Sequence, residues 1–178
     1  CFEDKGVPKN RDEAAKWYRK AADKGEAPAQ LQLGVMAEKG LGIPQNYVEA
    51  AKFYHLAADQ GLRDAQCNLA VLYNKGLGVP KDGVEALKWF RLAADNGDSL
   101  AQFNLGVIEL VGHRGPPDRV KAEKWFEIAA KQGNQLATKA LEELRNNESP
   151  ALKDRSAALN LIREEANQGD ASAQFSLG

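Results

Sequence analysis

The sequence predicts an all-α fold in which antiparallel helix pairs stack as an α/α solenoid with a 36-residue repeat. Three observations lead to this prediction: a strict repeat, helix caps at fixed positions within it, and helical spacing of the apolar residues between the caps. The repeated segment reads AADKGEAPAQ from residue 21, AADQGLRDAQ from 57, AADNGDSLAQ from 93, AAKQGNQLAT from 129 and EANQGDASAQ from 165. A fixed period of roughly 20–50 residues is typical of proteins built from stacked repeats.

The second helix of each predicted pair begins after a recurring Asn or Asp and ends at a recurring glycine. The capping side chain accepts a free N–H of the first turn, which stabilises a helix by about 1 kcal/mol. Between the caps, apolar residues at i, i+3, i+4, i+7 and i+8 form one face of a helix. The expected caps are Asn10, Asn46, Asp82, Asp118 and Asp154; the glycines are Gly25, Gly61, Gly97, Gly133 and Gly169; the first apolar stripe is Ala14, Trp17, Tyr18, Ala21 and Ala22.

The first helix of a pair is predicted from about Ala27 to Lys39 and ends at Gly40. Gly76 and Gly112 end the corresponding helices further along the chain. Glycine favours this position because it adopts a positive φ without steric cost. Neither helix buries its apolar side alone, so the pairs must stack, and the repeated segment forms the corner between successive pairs.

The repeat organises the whole chain as a single array. We expect a partial unit at 1–25, full units at 26–61, 62–97, 98–133 and 134–169, and a partial unit at 170–178. Because the chain starts without Met and inside a repeat, we expect a fragment of a longer protein. The sequence leaves its compartment open, since periplasmic, secreted and cytoplasmic locations are all compatible with it.

Charge and hydropathy argue against two classes of partner. The 178 residues include 24 Lys and Arg against 25 Asp and Glu, with the two signs interspersed. We predict no nucleic-acid partner, because no basic run is present, and no direct membrane insertion, because no apolar run approaches the roughly 18 residues of a membrane span. Cys1 and Cys67 lie far apart and predict no disulfide framework.

The pattern A-x-A-Q-x-x-L-G, then G-x-G-V, then A-x-x-W/Y-Y/F-x-x-A-A-x-x-G is matched almost in full by residues 29–61 and 65–97. In this pattern the chain resembles the Sel-1-like repeat family, a relative of the tetratricopeptide repeat. The resemblance implies a right-handed α/α superhelix with the first helices on its concave side. It also implies an adaptor that binds proteins without catalysing a reaction, and the family's abundance in bacteria suggests a bacterial origin.

The C-terminal part of the array departs from the family pattern. Thr138 replaces the glutamine and Glu142 the small residue of the first helix, while Leu161 and Ile162 occupy the aromatic positions. We therefore expect this end to be less regular. The cysteine-rich branch of the family carries a cysteine pair in each repeat, which this chain lacks, so the chain is not placed in that branch.

One side of each first helix is not needed for the core of its own pair. On that side an apolar row runs beside an amide row, and both give way to Lys139 and Glu143 in the 134–169 unit. We call it the first-helix face. Its residues are Leu31, Gln32, Val35, Cys67, Asn68, Val71, Phe103, Asn104 and Val107. An apolar strip flanked by amides suits an extended peptide or an amphipathic helix, so we predict a protein or peptide partner here.

Two other roles for this face stay open. Tight curvature would press neighbouring first helices together and bury the same side chains as additional core. Self-association is also compatible with the sequence, because the ends of the array offer helix faces without polar capping repeats.

An envelope-associated enzyme, or a glycan- or β-lactam-binding protein like those of the cysteine-rich branch, is the rival class of function. The sequence has no S-x-x-K, S-D-N or K-T-G motif and no Gly-rich phosphate loop. His55 and His113 have no second ligand at metal-binding spacing. We therefore predict no catalytic residue, metal or cofactor. Cys67 is expected as a half-buried helix residue, and Trp17, Trp89 and Trp125 as core residues rather than sugar-stacking ones.

Overall fold

A computed structural model of the chain describes residues 11–112 and 115–146. Over these two ranges it contains eight α-helices and no β-strand, which confirms the predicted all-α helical-repeat class. The helices are α1 (Arg11–Ala22), α2 (Ala27–Lys39), α3 (Tyr47–Asp59), α4 (Arg63–Lys75), α5 (Gly83–Asp95), α6 (Ser99–Val111), α7 (Arg119–Lys131) and α8 (Gln135–Asn146). The chain forms two compact units, residues 1–82 with α1–α4 and residues 83–178 with α5–α8.

Within each unit, helices that follow one another in the sequence pack against each other. Their ends confirm the predicted caps. Asn46 Oδ1 accepts the backbone N–H groups of Val48 and Glu49 at 3.0 and 3.1 Å, and Asp118 Oδ1 accepts that of Lys121 at 3.0 Å. The first helices end at Gly40, Gly76 and Gly112, which adopt φ values of 68°, 70° and 74°. The predicted caps Asn10 and Asp154, and the residues Leu161 and Ile162, lie outside the described residues.

The repeated segment forms the corner between a second helix and the following first helix, as predicted. A glutamine in the first turn of α2, α4 and α6 reaches back across this corner. The Nε2 atoms of Gln30, Gln66 and Gln102 donate to the carbonyl oxygens of Ala22, Ala58 and Ala94, respectively, at 3.1–3.3 Å. These carbonyls lie near a helix end, where intrahelical partners run out. Three buried glutamines therefore hold three corners in the same way.

In the first unit, α2 and α3 approach closely because Gly34 faces the ring of Tyr54. A β-carbon at position 34 would lie 2.5 Å from two ring carbons of Tyr54, so a larger residue does not fit without movement. Tyr54 is fully buried, and Leu33 and Phe53 are buried in the neighbouring core.

The second unit repeats this arrangement with Gly106 facing the ring of Phe126. The Phe126 ring centroid lies 5.5 Å from that of Phe103. A core cluster around the two rings joins α6, α7 and α8. It comprises Phe103, Val107, Leu110, Ala122, Phe126, Ala129, Ala137, Ala140, Leu141 and Leu144. Burying a large apolar side chain contributes about 1.5–3 kcal/mol, so this cluster stabilises the second unit strongly.

The aromatic pair of α1 differs from its predicted core position. Trp17 is 63% exposed and Tyr18 is 37% exposed, whereas the equivalent residues of α3, Phe53 and Tyr54, are buried. The reason is packing: α3 has close neighbours in both α2 and α4, but the main neighbour of α1 among the described helices is α2. The core prediction holds for Trp89, which is buried, and Trp125 is half-buried.

Candidate binding surface

The first-helix face is open on α2. Gln32 is exposed, and Leu31 and Val35 are half-buried on the same side of the helix. An aliphatic side chain beside an exposed amide offers a partner both an apolar contact and hydrogen-bonding groups. This is the part of the predicted face that solvent, and therefore a partner, reaches most easily.

On α4 the same face is more enclosed and includes a polar cluster. Cys67 and Val71 are buried, and Asn68 is half-buried. The Tyr54 hydroxyl donates to Glu38 Oε2 at 2.5 Å and accepts a hydrogen bond from the Asn68 side chain. Burial and the neighbouring Glu38 carboxylate raise the pKa of Tyr54 far above its usual range. The hydroxyl therefore stays protonated and keeps donating to Glu38.

On α6 the face is part of the core. Phe103, Asn104 and Val107 are each 2% exposed, and the core cluster that contains Phe103 and Val107 also includes Ala137 and Leu141 of α8. The expectation that the helix pair leaves this side free does not hold on α6, because the cluster extends from its own pair to α8. Burial as additional core describes this part of the face.

Asn104 carries a buried donor that finds no acceptor. Its Nδ2 atom makes no hydrogen bond to the described part of the chain. The repeat equivalent, Asn68, donates to Tyr54, but the residue equivalent to Tyr54 is Phe90, which has no hydroxyl. An unsatisfied buried donor costs about 1–3 kcal/mol, so α6 retains the amide of the repeat without the acceptor found in the first unit.

An open groove of about 770 Å³ lies beside α1 and α2. We call it the Tyr18 groove. Its lining residues are Tyr18, Ala21, Glu26, Pro28, Ala29, Leu31, Gln32 and Leu62. It brings two predicted face residues, Leu31 and Gln32, together with Tyr18, which the sequence had assigned to the core. One sequence signal pointed to this contact: Gln32 follows Tyr18 at the same interval as Asn68 follows Tyr54.

The last described corner is built differently, as its sequence departs from the pattern. Thr138 Oγ1 donates to the carbonyl oxygen of Asn134 at 3.2 Å instead of reaching across the corner. Asn134 takes over part of that role, because its Nδ2 donates to the carbonyl oxygen of Ser99 at 3.1 Å. Lys139 and Glu142 are exposed, and Glu143 is half-buried, so α8 presents charges where α2 presents Leu31 and Gln32.

The groups that the rival class of function would need are dispersed. His55 Nδ1 lies 2.9 Å from Asp59 Oδ2 on an exposed side of α3, while the Cys67 thiol is buried in α4. Within 11–112 and 115–146, no three His, Cys, Asp or Glu side chains are grouped to hold a metal ion. In the same part of the chain, no helix has the length and apolar character to cross a membrane. His113 and Cys1 fall outside it.

Comparison with known proteins agrees with this architecture. The model of the Sel1 repeat family matches four consecutive stretches, residues 1–26, 27–62, 63–98 and 99–134. Among solved structures, the chain is similar to c5321, a protective antigen present in uropathogenic Escherichia coli strains that displays an SLR fold, with 35% identity and a TM-score of 0.72. It is also similar to a Sel1 repeat protein from Oxalobacter formigenes, with 35% identity and a TM-score of 0.71.

The two similarities cover most of this chain but only part of the other proteins. They include 92% of this chain and 35% of the E. coli antigen, and 91% of this chain and 64% of the O. formigenes protein. No curated protein matches the chain significantly.

Proposed function

This chain belongs to the Sel1 repeat family, whose members commonly act as protein-interaction scaffolds, and we propose that it is a non-catalytic scaffold that binds a segment of a partner protein in the Tyr18 groove. Leu31, Gln32 and Val35 of the first-helix face contact the partner directly in this proposal. Its more buried members, such as Phe103 and Val107, support the helices from within.

The groove itself is the observation that carries the proposal. Its volume of about 770 Å³ lies within the roughly 300–1,000 Å³ that is usual for binding pockets. Tyr18, Leu31 and Leu62 supply apolar surface, and the exposed Gln32 amide supplies a donor and an acceptor for a peptide backbone. Tyrosine is also one of the residue types that dominate binding energy at protein interfaces.

A binding experiment with two charge substitutions tests the proposal. Peptides selected from a random library against the purified chain are titrated calorimetrically into the wild type, Leu31→Glu and Leu56→Glu. Leu56 is the control, because it is 41% exposed on α3 and does not line the groove. We expect Leu31→Glu to weaken binding at least tenfold, about 1.4 kcal/mol, and Leu56→Glu to leave it unchanged.

Matched circular dichroism melts must show that both variants fold like the wild type. Equal affinity of the Leu31→Glu variant and the wild type would place binding outside the Tyr18 groove and contradict the proposal. Phe103→Glu does not serve this test, because Phe103 is buried in the second unit's core and its substitution reports on folding.

A further inference from the structure

The first unit contains its own example of how a helix packs on a repeat tyrosine. Gly34 of α2 lies against the ring of Tyr54, where a β-carbon would come within 2.5 Å of two ring carbons. Four residues later, Glu38 accepts the hydrogen bond of the Tyr54 hydroxyl at 2.5 Å. Residues at i and i+4 lie on the same side of a helix. A glycine and a carboxylate at that spacing therefore contact the ring and the hydroxyl of one tyrosine together.

Tyr18 occupies the same repeat position as Tyr54 but is open where Tyr54 is covered. The Tyr54 hydroxyl is held on its other side by Asn68 of α4, and the repeat equivalent of Asn68 beside Tyr18 is Gln32. Both Tyr18 and Gln32 line the Tyr18 groove. No described helix lies over Tyr18 as α2 lies over Tyr54, since Tyr18 is 37% exposed and Tyr54 is fully buried.

We propose that the partner segment bound in the Tyr18 groove is an α-helix with a Gly-x-x-x-Glu spacing, its glycine on the Tyr18 ring and its carboxylate accepting the Tyr18 hydroxyl. This inference rests on the proposed function and specifies the partner's chemistry. The small residue lets the helix backbone approach the ring, as Gly34 does in α2. The carboxylate completes a polar cluster in which Gln32 takes the part of Asn68.

The helix comes from a different protein rather than from a second copy of this chain. The glycines on the described first helices that face a ring are Gly34 and Gly106, and each already contacts an aromatic ring of its own unit. The equivalent residue of α4 is Ala70, which is fully buried, and that of α8 is Glu142, which is large and charged. A folded second copy therefore has no small residue available for Tyr18 on these helices.

The test uses a helix-stabilised synthetic peptide with the sequence of residues 26–40, EAPAQLQLGVMAEKG, as the probe. It carries glycine and glutamate at the required spacing. Calorimetry measures its affinity for the wild type, Tyr18→Phe and Tyr18→Ala chains, and nuclear magnetic resonance identifies the backbone amides that it shifts. Two control peptides replace the probe's glycine at position 34 with Val or its glutamate at position 38 with Leu.

We expect the probe to shift amides around Tyr18 and Gln32 and to bind at least tenfold more weakly when its glycine becomes Val or when the chain carries Tyr18→Ala. The Glu→Leu peptide should lose several-fold in affinity for the wild type but little for Tyr18→Phe, because the hydroxyl that reads the carboxylate is already absent. This coupling separates a hydroxyl–carboxylate contact from general apolar docking.

Absence of binding, or equal affinity of the Val-containing peptide, overturns the inference. If library peptides without this spacing still bind the groove, the proposed function stands and only the helical partner fails; if neither kind binds, both fail. Dimerisation of the chain in sedimentation equilibrium that Tyr18→Ala abolishes would make a second copy the occupant and also overturn the inference.

Discussion

Tyr54 in α3 and Phe90 in α5 occupy the same position of the 36-residue repeat, and both side chains are fully buried. Their surroundings differ. Tyr54 joins Glu38 and Asn68 in a polar cluster, and the first-helix face near it on α2 is open. In the second unit Phe90 offers no hydroxyl, the Asn104 amide has no acceptor, and α6 is buried. The repeat fixes where a ring lies, whereas one hydroxyl group changes the polarity around it.

The two units therefore use the same frame for different purposes. In the first unit the first-helix face keeps polar groups and a groove. In the second it adds Phe103 and Val107 to a core cluster that reaches α8. Substitutions at equivalent positions of the two units should expose this difference.

The largest effect is expected from charging the face in each unit. Phe103→Glu places a carboxylate in the core of the second unit and removes the Phe103–Phe126 ring contact. Loss of a buried phenylalanine alone costs about 3–5 kcal/mol, and an unpaired buried charge adds to it. The equivalent Leu31→Glu, at a half-buried position, should cost less than about 1 kcal/mol. Urea denaturation followed by circular dichroism compares the two variants with the wild type.

Equal losses for both variants would show that the first-helix face is equally buried in the two units. Because repeat arrays do not always unfold in one step, the amide resonances of each unit should be followed separately. Phe103→Glu should then weaken α6–α8 first.

A smaller effect is expected from exchanging the hydroxyl. Tyr54→Phe leaves Glu38 and Asn68 without their shared partner, and loss of a hydrogen bond to a charged group costs about 1.5–3 kcal/mol. Phe90→Tyr brings a hydroxyl to the position from which Asn104 lacks an acceptor, and should stabilise the chain by about 1 kcal/mol. Chemical denaturation measures both changes.

Hydrogen exchange of the Asn104 side-chain amide provides the control for Phe90→Tyr, because a new hydrogen bond should slow it. Destabilisation by Phe90→Tyr with unchanged exchange would show that the added hydroxyl does not reach Asn104. The site equivalence between the units would then be limited to the rings.

The smallest effect concerns two equivalent helix caps. Hydrogen bonds from the Lys121 backbone N–H and side chain lower the pKa of Asp118 at the start of α7, whereas Asn46 at the start of α3 does not titrate. A carboxyl group with a lowered pKa in the folded state stabilises it above its unfolded pKa, and this contribution is lost as the pH falls through the folded pKa. The α7 cap should therefore weaken in acid, below the ordinary range of an aspartate, and the α3 cap should not.

Carboxyl carbon chemical shifts of Asp118 and backbone amide shifts of both first turns, followed during an acid titration, measure this difference. Asp118→Asn should make the first turn of α7 as insensitive to acid as that of α3. An Asp118 that titrates at its usual pKa would contradict the expected stabilisation of its charged form.

The sequence predicted the features that depend on local chemistry. Asn46 and Asp118 cap their helices because the cap needs only a side-chain oxygen and the next few N–H groups. Gly40 ends α2 with a positive φ for an equally local reason. Helix spacing also placed Tyr54 and Phe126 in the core. Each of these features is decided within one helix or one turn.

Features that depend on a third helix could not be predicted in this way. A helical wheel shows which side of α6 faces its own pair, but not that the cluster around Phe103 extends to α8. For the same reason it placed Tyr18 in the core. The corner glutamines were visible as part of the repeated pattern, yet nothing in the sequence said that Gln30 donates to the Ala22 carbonyl.

Those glutamine corners have a consequence for how genes of this kind change length. The bond from Gln30 to Ala22 spans only eight positions in the sequence, and the same bond recurs at Gln66 and Gln102. Each junction therefore carries its own fastening and borrows nothing from distant repeats. Duplication or loss of one whole period of coding sequence rejoins two matching corners, so unequal recombination can lengthen or shorten the protein while every junction remains intact.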